Sequence, residues 1–234
     1  RCVQASRERF PRTGPFGVNA GIAPRAEILW EPGGRLTTVE GVPVNITDQT
    51  SQTTLYYTPM FHNTLPLWNG KRFVPWEFDS DLQLVINAVV NGKNYDVFAR
   101  LNGGRPELVL GPAWTDDTTI SAAGDVLRYR GRWVLQYNPN WLWLGTIRAS
   151  GAGTTEDSAA KRFVWNAYNR VALRLEKTPA AANYAYTSAV QRQANADAAN
   201  QVEVVVGRAE DLLVVESRHA AANSTGGIDF HTGV

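Results

Sequence analysis

The sequence is poor in the residues that carry most metal, redox and membrane functions. Its 234 residues include one cysteine and three histidines, so it cannot form an internal disulfide and offers few ligands for zinc. No apolar run approaches the roughly 18 residues of a membrane-spanning helix, and the N-terminus lacks the pattern of a signal peptide. The 23 basic and 22 acidic side chains leave no basic stripe for nucleic acid. We therefore predict no metal, cofactor, membrane or nucleic acid as a partner.

Catalytic motifs are also scarce. The chain has no G-x-S-x-G motif, no Walker loop and no G-x-G-x-x-G motif. Two acidic pairs remain, Asp116-Asp117 and Glu156-Asp157. A glycosidase needs two carboxylates across a sugar, but adjacent acidic residues more often cap exposed amides in turns. We interpret both pairs as turn residues and predict that the chain is not an enzyme.

The sequence is rich in turn residues and aromatic residues, with 20 Gly, 12 Pro, 8 Trp and 8 Tyr. Glycine and proline are spread along the chain, which favours many short elements joined by turns. The densest β signal is Thr53–Phe78, where two β-rich runs flank Asn69-Gly70, a pair typical of a hairpin with a type I′ turn. Further hairpins are predicted between Leu82–Val90 and Asn94–Leu101, and between the latter and Glu107–Leu110. Three hairpins in succession indicate an antiparallel sheet.

The other predicted strands consist of β-branched and aromatic residues between turn residues. They are Arg35–Val39, Val42–Ile46, Val126–Tyr129, Trp133–Tyr137, Trp141–Ile147, Arg162–Tyr168, Arg170–Glu176, Tyr184–Val190, Val202–Val206, Leu212–Glu216 and Ile228–Phe230. Only Ser158–Lys161 and Arg192–Ala199 have a helix-forming composition, and both are short. We predict an all-β fold, an antiparallel β-sandwich of jelly-roll-like type with an extended N-terminal arm.

Three parts are predicted along the chain. Residues 1–33, rich in Arg, Pro and Gly, form an N-terminal docking arm, and residues 34–175 form the main β-sandwich. Residues 176–234 form a second β-rich part, which begins near the small-residue and proline junction Thr178–Ala182. This part ends in a short strand between glycines, so we expect it to be truncated at its C-terminus and to expose an edge. Because the first residue is Arg1, we expect a processed chain or part of a longer one.

Two groups of residues are candidates for contacts. Four large apolar side chains on the loop-like arm favour docking onto a neighbouring protein over a disordered tail; they are Phe10, Phe16, Ile22 and Trp30. Aromatic side chains of the predicted strands either form core and subunit contacts or provide a platform on which a sugar ring stacks; they are Tyr57, Trp68, Trp76, Trp141 and Trp143. Solvent-facing rings beside Asn or Asp would favour the sugar platform, and buried rings would oppose it.

Five segments resemble, in the same order, modules of tailed-bacteriophage virion proteins of the tail-fibre, head-fibre and minor structural types. The segments are TTLYYTPMFHNTLPLWNG, YDVFARLNGG, AWTDDTT, LGTIRASGAGTTEDSAAKRFVWNAYNRV and RQANADAANQVEVVVG. The resemblance covers about Arg35–Val215, and its most specific part is Thr155–Arg170. The arm lies outside it, and the resemblance supplies no catalytic residues.

The resemblance implies a virion structural protein that folds in the bacterial cytoplasm, where a chain with one cysteine needs no disulfide. It also implies a homo-oligomer, with a trimer favoured, because symmetric assembly buries edge strands and aromatic faces between copies. We expect the arm to anchor to other capsid or tail proteins while the sandwich projects. The alternative is a receptor-binding module of a tail fibre that contacts a host-surface glycan.

Overall fold

The computed structural model describes residues 31–179, 193 and 196–208, and these residues contain fifteen β-strands and no α-helix. The strands are β1 (Gly34–Thr37), β2 (Gln49–Gln52), β3 (Thr54–Pro59), β4 (Thr64–Trp68), β5 (Phe73–Glu77), β6 (Leu82–Val85), β7 (Asn94–Asn102), β8 (Arg105–Ala113), β9 (Val126–Tyr129), β10 (Arg132–Leu135), β11 (Asn138–Gly151), β12 (Thr154–Asp157), β13 (Lys161–Arg162), β14 (Val164–Asn166) and β15 (Glu203–Val204). The predicted all-β class is confirmed.

The main sheet is organised around the 14-residue strand β11. Along one edge, β11 pairs with β7. Along the other edge it pairs first with β10 and then with β14. The C-terminal end of β11 forms a hairpin with β12. The β11–β7 ladder has a bulge near Gly145. β14 lies so close to this glycine that a Cβ atom there would be 2.1 Å from the carbonyl oxygen of Trp165. Glycine is therefore required where the two long-range pairings of β11 meet.

A second layer covers one face of the main sheet. It consists of the antiparallel sheet β1-β3-β6 and the hairpin β4–β5. Alternate side chains of both layers meet in one apolar core, as expected for strands with one buried face. Its fully buried members include Leu36, Leu55, Leu65, Leu67, Val97, Leu142, Leu144 and Ile147. The described fold is therefore an antiparallel β-sandwich, and the pairing of β13 with β15 is the one parallel pair in this part of the chain.

The opposite face of the main sheet carries a second cluster that is dominated by tryptophan. Phe98, Trp143, Trp165 and Val205 are buried there. The ring centroids of Trp143 and Trp165 are 5.2 Å apart, and those of Trp133 and Trp143 are 6.4 Å apart. Since Val97 and Leu142 face the other side, successive residues of β7 and β11 alternate between the two clusters.

The hairpin predicted between Leu82–Val90 and Asn94–Leu101 is wrong. β6 ends at Val85 and pairs with β3, whereas β7 pairs with β8 and β11. The alternation of apolar residues fails after Ile86, because Ile86 and Val89 are both buried while Val90 is exposed. The chain therefore turns inward after β6 instead of extending into a second strand of a hairpin.

Two other predicted strands do not form ladders. Within Val42–Ile46, the carboxamide oxygen of Asn45 accepts the backbone N–H of Thr47 at 3.1 Å, and such local bonds compete with sheet pairing. In Arg170–Glu176, half-buried and exposed side chains alternate as predicted. The segment makes isolated hydrogen bonds and no ladder, and one of them joins the Glu176 N–H to the Ala159 carbonyl oxygen at 2.7 Å. The sequence also predicts a break at Asn138-Pro139-Asn140, between the strands Trp133–Tyr137 and Trp141–Ile147, and this is wrong because these three residues begin β11.

Several predictions fall outside the described residues. These are the arm contacts Phe10, Phe16, Ile22 and Trp30, and the strands Tyr184–Val190, Leu212–Glu216 and Ile228–Phe230. The division at residues 175 and 176 stays a prediction, because most of the second part is likewise outside. Within it, Glu203–Val204 pairs with β13 and so extends the main sheet.

Candidate functional site

Two of the five predicted contact aromatics belong to the interior. Tyr57 is 2% exposed, and its hydroxyl oxygen accepts the backbone N–H of Gly34 at 3.0 Å. Trp143 is 1% exposed within the tryptophan cluster. Burial, the largest effect, raises the pKa of Tyr57 well above its usual range. These two rings stabilise the sandwich and offer no face to a ligand or to a second copy.

Trp76 and Trp141 are half-buried on different parts of the surface. Trp76 lies opposite Leu65 in the hairpin β4–β5 and packs against the main core, and its buried indole N–H has no hydrogen-bond partner in the described part of the chain. Trp141 contacts Phe98 edge-on, with ring centroids 5.7 Å apart, and the guanidinium of Arg100 lies 5.1 Å from its centroid. Arg100 is paired with Glu107 at 2.6 Å, so this cation is already neutralised.

Trp68 lies at the centre of a more open arrangement. Its ring contacts Phe73 edge-on at 5.2 Å and Tyr129 edge-on at 5.5 Å between centroids. The Arg130 guanidinium lies 5.4 Å from the Trp68 centroid and 5.8 Å from that of Tyr129. The same guanidinium donates a hydrogen bond to the carbonyl oxygen of Lys71 at 3.1 Å. Arg130 thus joins the turn of one hairpin to the turn of another.

Local turn geometry explains how these side chains come together. Arg130 and Gly131 have φ values of 48° and 79°, and Tyr129 pairs directly with Arg132. Two central residues with positive φ make this a type I′ turn, which suits the twist of β9 and β10. Glycine adopts this conformation without strain, whereas Arg130 adopts it at an energetic cost.

The second turn differs from its prediction. The hairpin around Asn69-Gly70 is confirmed, with Trp68 paired to Phe73, but Asn69 lacks the positive φ of a type I′ turn. Instead the loop spans four residues, and the carboxamide oxygen of Asn69 accepts the backbone N–H groups of Lys71 and Arg72, each at 3.0 Å. The asparagine therefore fixes the backbone from which both cationic side chains extend.

We call the arrangement of Trp68, Asn69, Lys71, Arg72, Tyr129 and Arg130 the turn site. Its three cationic side chains are exposed, and none of them forms an ion pair with a carboxylate in the described part of the chain. The turn site therefore combines three unneutralised positive charges with two half-buried aromatic rings. Such a surface can bind an anion through charge-assisted hydrogen bonds.

A buried carboxylate lies beneath the tryptophan cluster. Asp96 accepts hydrogen bonds from the indole N–H groups of Trp114 at 2.9 Å and Trp143 at 3.0 Å, and from the Thr146 hydroxyl at 2.6 Å. Burial, the largest effect, raises the pKa of Asp96, and the hydrogen bonds from these neighbours oppose that rise. Because the carboxylate is enclosed by donors of the protein itself, its role is to hold the sheet together.

The two acidic pairs lie in separate structural contacts. Asp116 caps a turn, as predicted, and Asp117 pairs with Arg148 at 2.8 Å. Glu156 and Asp157 lie in β12 and not in the predicted turn, and Asp157 pairs with Arg162 at 3.1 Å. A cavity of about 270 Å³ is lined by Asn94, Asp117, Arg148, Phe163 and residues 203–206.

That cavity is a poor candidate for a ligand site. Arg148 donates to Asn94 at 3.0 Å and to Asp117 at 2.8 Å, so the polar groups of its wall are bonded to each other. Its volume is also below the roughly 300–1,000 Å³ typical of small-molecule sites. Within the described ranges, no three His, Cys, Asp or Glu side chains lie close enough to hold a metal ion. The same ranges contain no helix long and apolar enough to cross a membrane.

The point at which the arm enters the sandwich is fixed by polar contacts. Glu31 pairs with the buried Arg132 of β10 at 2.9 Å. The carboxamide of Asn169 donates to the carbonyl oxygens of Pro32 at 2.7 Å and Gly34 at 2.9 Å. The guanidinium of Arg35 in turn donates to the Asn169 carbonyl. We call these contacts the arm root.

Comparison of the chain with protein-family models, curated proteins and solved structures finds no match. Of the turn site, only Trp68 was predicted from the sequence as a contact residue. Arg130 was missed because its neighbour in space, Lys71, lies 59 residues away in the chain. A basic residue directly before Gly131 was the available signal.

Proposed function

We propose that the chain is a structural protein of a bacteriophage virion, a fibre, adaptor or decoration component, that assembles through its N-terminal arm and projects a β-sandwich. The first support is the resemblance of its segments to virion proteins. Those segments form contiguous parts of the fold, including β3 and β4, β7, and the run from β11 to β14. The resemblance thus includes several strands of the framework of the sandwich, together with some of its turns.

The observation that carries the proposal is the arm root. A flexible linker would leave the chain before β1 free of the sandwich, whereas here Glu31, Pro32 and Gly34 are all bonded to it. Removal of the exposed Glu31 carboxylate is costly, because it leaves the buried Arg132 guanidinium without its counter-charge. A fixed exit point gives an anchoring arm a defined direction relative to the projecting domain.

An exposed phenylalanine next to the arm root supports contacts between copies or with another virion protein. Phe61 is 72% exposed, and its backbone N–H donates to the Gly33 carbonyl at 2.9 Å. A large exposed apolar side chain beside an anchoring segment is suited to burial in an interface. We propose a homo-oligomer, with a trimer favoured, whose contacts include this region.

Incorporation into particles tests the assembly role. Phage particles purified from the source culture on a density gradient are expected to contain the chain, detected by mass spectrometry, in amounts comparable with other structural proteins. A variant with Phe10, Phe16, Ile22 and Trp30 all changed to Ser should fold but fail to enter particles, because it lacks the apolar anchors. A matched control with Val85 and Val90 changed to Ser keeps the arm and should be incorporated.

Two results would overturn the assembly proposal. One is a chain present in the lysate but absent from purified particles. The other is full incorporation of the variant that lacks the four anchors. The oligomeric state is measured separately on the purified chain by light scattering coupled to gel filtration, where a monomer at micromolar concentration would contradict the trimer.

The second candidate is a receptor-binding module that contacts a host-surface glycan. The turn site favours it, because Trp68 and Tyr129 are only half-buried and lie beside Asn69 and three exposed cations. Both roles can coexist in one fibre, since the arm root and the turn site use different residues. The chemistry of the turn site is specific enough for its own test.

A further inference from the structure

We propose that the turn site binds an acidic sugar, with a carboxylate or phosphate group of the glycan held by Arg130 and flanked by Lys71 and Arg72. This inference rests on the glycan-binding candidate and is independent of assembly through the arm.

Arg130 is pre-organised for an anion. Its guanidinium lies against Trp68 and Tyr129, 5.4 Å and 5.8 Å from their centroids, and one N–H is fixed on the Lys71 carbonyl at 3.1 Å. An arginine has five N–H donors in a rigid plane, and the described residues accept only this one bond from Arg130. The remaining donors can bind both oxygens of a carboxylate or phosphate, and little side-chain entropy is lost because the group is already held.

Lys71 and Arg72 add charge from a backbone that is also fixed. Asn69 accepts both of their amide N–H groups, and the Asn69 N–H donates to the Arg72 carbonyl at 3.1 Å. The loop thus carries two exposed cations without an ion-pair partner in the described part of the chain, and its Lys71 carbonyl accepts the hydrogen bond from Arg130. Three cations on two adjoining turns raise the local concentration of an anionic ligand.

The aromatic rings favour a sugar over other anions. Trp68 and Tyr129 are half-buried and lie against the guanidinium. Aromatic side chains present an apolar surface with a polar tip, and the C–H groups of a pyranose can pack on such a surface. An acidic sugar combines an anion and an apolar ring face within one residue, which matches this arrangement.

A protein partner fits the turn site less well. Specific protein interfaces bury about 800 Å² on each side around an apolar centre, whereas the exposed large apolar side chains of the described chain all lie elsewhere. They are Val42, Ile46, Phe61, Val85, Val90, Tyr137, Val202 and Val204. Nucleic acid is disfavoured as a ligand because the whole chain has a net charge of +1, and the three cations of the turn site lie on two turns and do not form a basic stripe.

The test measures binding of defined oligomers to the purified full chain by isothermal titration calorimetry. The sugar probes are a galacturonate hexasaccharide, its neutral methyl ester, and a mannose oligomer that carries phosphate groups. The competing classes are represented by hexaglutamate and by oligothymidylate of similar charge. At least one acidic sugar should bind, the methyl ester should not, and affinity should fall as salt rises because the contacts are ionic. The stronger of the two acidic sugars identifies the source of the anion.

Substitutions locate the binding on the turn site. Arg130→Gln keeps a long polar side chain but removes the charge, and it should weaken binding of the acidic sugar about tenfold, as expected for a charge-assisted hydrogen bond. Arg130→Lys should give an intermediate loss, since it restores charge without the planar fork. Arg105→Gln is the matched control, because Arg105 is an exposed arginine at the turn after β7, at the opposite end of the main sheet. Thermal unfolding verifies that all three variants are folded.

The binding measurements either support or overturn the turn site as the place where an acidic sugar binds. An acidic sugar that binds the native chain and the Arg105→Gln variant equally, and the Arg130→Gln variant about tenfold more weakly, supports the inference. It is overturned if neither acidic sugar binds at millimolar concentration, if Arg130→Gln leaves the affinity unchanged, or if hexaglutamate or oligothymidylate binds more tightly than both sugars. Loss of particle incorporation in the arm variant is a separate readout, so failure of this inference leaves the assembly role standing.

Discussion

The carboxylate of Asp96 accepts the indole N–H of Trp143 at 3.0 Å in the interior of the sandwich, where both side chains are almost fully buried. The other carboxylate oxygen accepts the indole N–H of Trp114 at 2.9 Å. Asp96 belongs to β7, Trp143 to β11, and Trp114 follows β8, so one carboxylate connects three neighbouring strands. A buried carboxylate is tolerated only when donors surround it, and its removal should therefore have a large effect.

Asp96→Ala is expected to lower the free energy of unfolding by ~3 kcal/mol or more. The substitution leaves two buried indole N–H groups and the Thr146 hydroxyl without their acceptor, and each costs its desolvation energy. Urea unfolding followed by tryptophan fluorescence and by circular dichroism measures the change. Asp79→Ala, at an exposed carboxylate for which the structure gives no hydrogen bond or ion pair, is the control and should stay within about 0.5 kcal/mol of the native chain. A loss below about 1 kcal/mol for Asp96→Ala would contradict a network role.

The pairing of Asp96 with Trp114 can be isolated by a double-mutant cycle. One carboxylate oxygen of Asp96 accepts hydrogen bonds from both Trp143 and Thr146, and the other accepts from Trp114. In Asp96→Asn, the amide oxygen can take the place of the first oxygen, and the NH₂ group then occupies the place of the second and faces the Trp114 N–H. Two donors then face each other. Trp114→Phe removes one of them, so it should cost less stability in the Asp96→Asn background than in the native chain, by about 1 kcal/mol or more. Additive effects would show that the two side chains are not coupled.

Stability should depend on the ionisation of Asp116 at acid pH. The backbone N–H of Thr118, followed by the hydroxyl and N–H of Thr119, lowers the pKa of Asp116 from 3.8 to about 2. A folded-state pKa below the unfolded value gives stability that is present above pH 3.8 and is lost as pH falls toward 2. Asp116→Asn keeps an oxygen acceptor without the charge, so the stability difference between it and the native chain should shrink between about pH 5 and pH 2.

The measurement for Asp116 is urea unfolding across that pH range, together with NMR titration of the carboxyl carbon. Asp79→Asn, at an exposed carboxylate for which the structure gives no hydrogen bond or ion pair, is the matched control and should show no such convergence. A titration midpoint for Asp116 at or above 3.8 would contradict the capping role.

Local patterns in the sequence predicted local structure well. The hairpin around Asn69-Gly70, the turn before β8 and the strand Val126–Tyr129 are confirmed, because each depends on residues a few positions apart. The pairing of β6 with β3 was missed, since alternation identifies a strand but not its partner. Whether an apolar residue after β6 continues the strand or turns into the core depends on the opposite layer, which no local pattern contains.

The candidate site was less accessible from the sequence than the fold. Trp68 was named because tryptophan is conspicuous, but so were Tyr57 and Trp143, which are core residues. Alternation shows that successive side chains face opposite sides, yet in this sandwich both faces of β7 and β11 are covered. An aromatic residue on either face can therefore be buried. Arg130 contributes through contacts across two turns, and only the folded structure brings those turns together.

Leu67 tests the main core of the sandwich. It is fully buried in β4 and packs in the cluster shared with β11, so Leu67→Ala should lower the free energy of unfolding by about 2–5 kcal/mol, through lost apolar burial and the cavity left behind. Val85→Ala is the control, since Val85 is 60% exposed at the end of β6 and should cost less than about 0.5 kcal/mol. Equal effects of the two substitutions in thermal or urea unfolding would show that β4 is not part of the core.

The ion pair of the arm root should contribute measurably to stability. Arg132 is 1% exposed, and its guanidinium donates to the Glu31 carboxylate at 2.9 Å, although Glu31 itself is largely open to solvent. Glu31→Gln leaves the buried cation without its carboxylate and should destabilise the chain by about 1–3 kcal/mol. In an Arg132→Met background no charge needs compensation, so the same substitution should cost almost nothing. Urea unfolding of the four chains gives the coupling energy, and a value near zero would mean that residue 31 is not held by the sandwich and that the arm leaves it without a fixed direction.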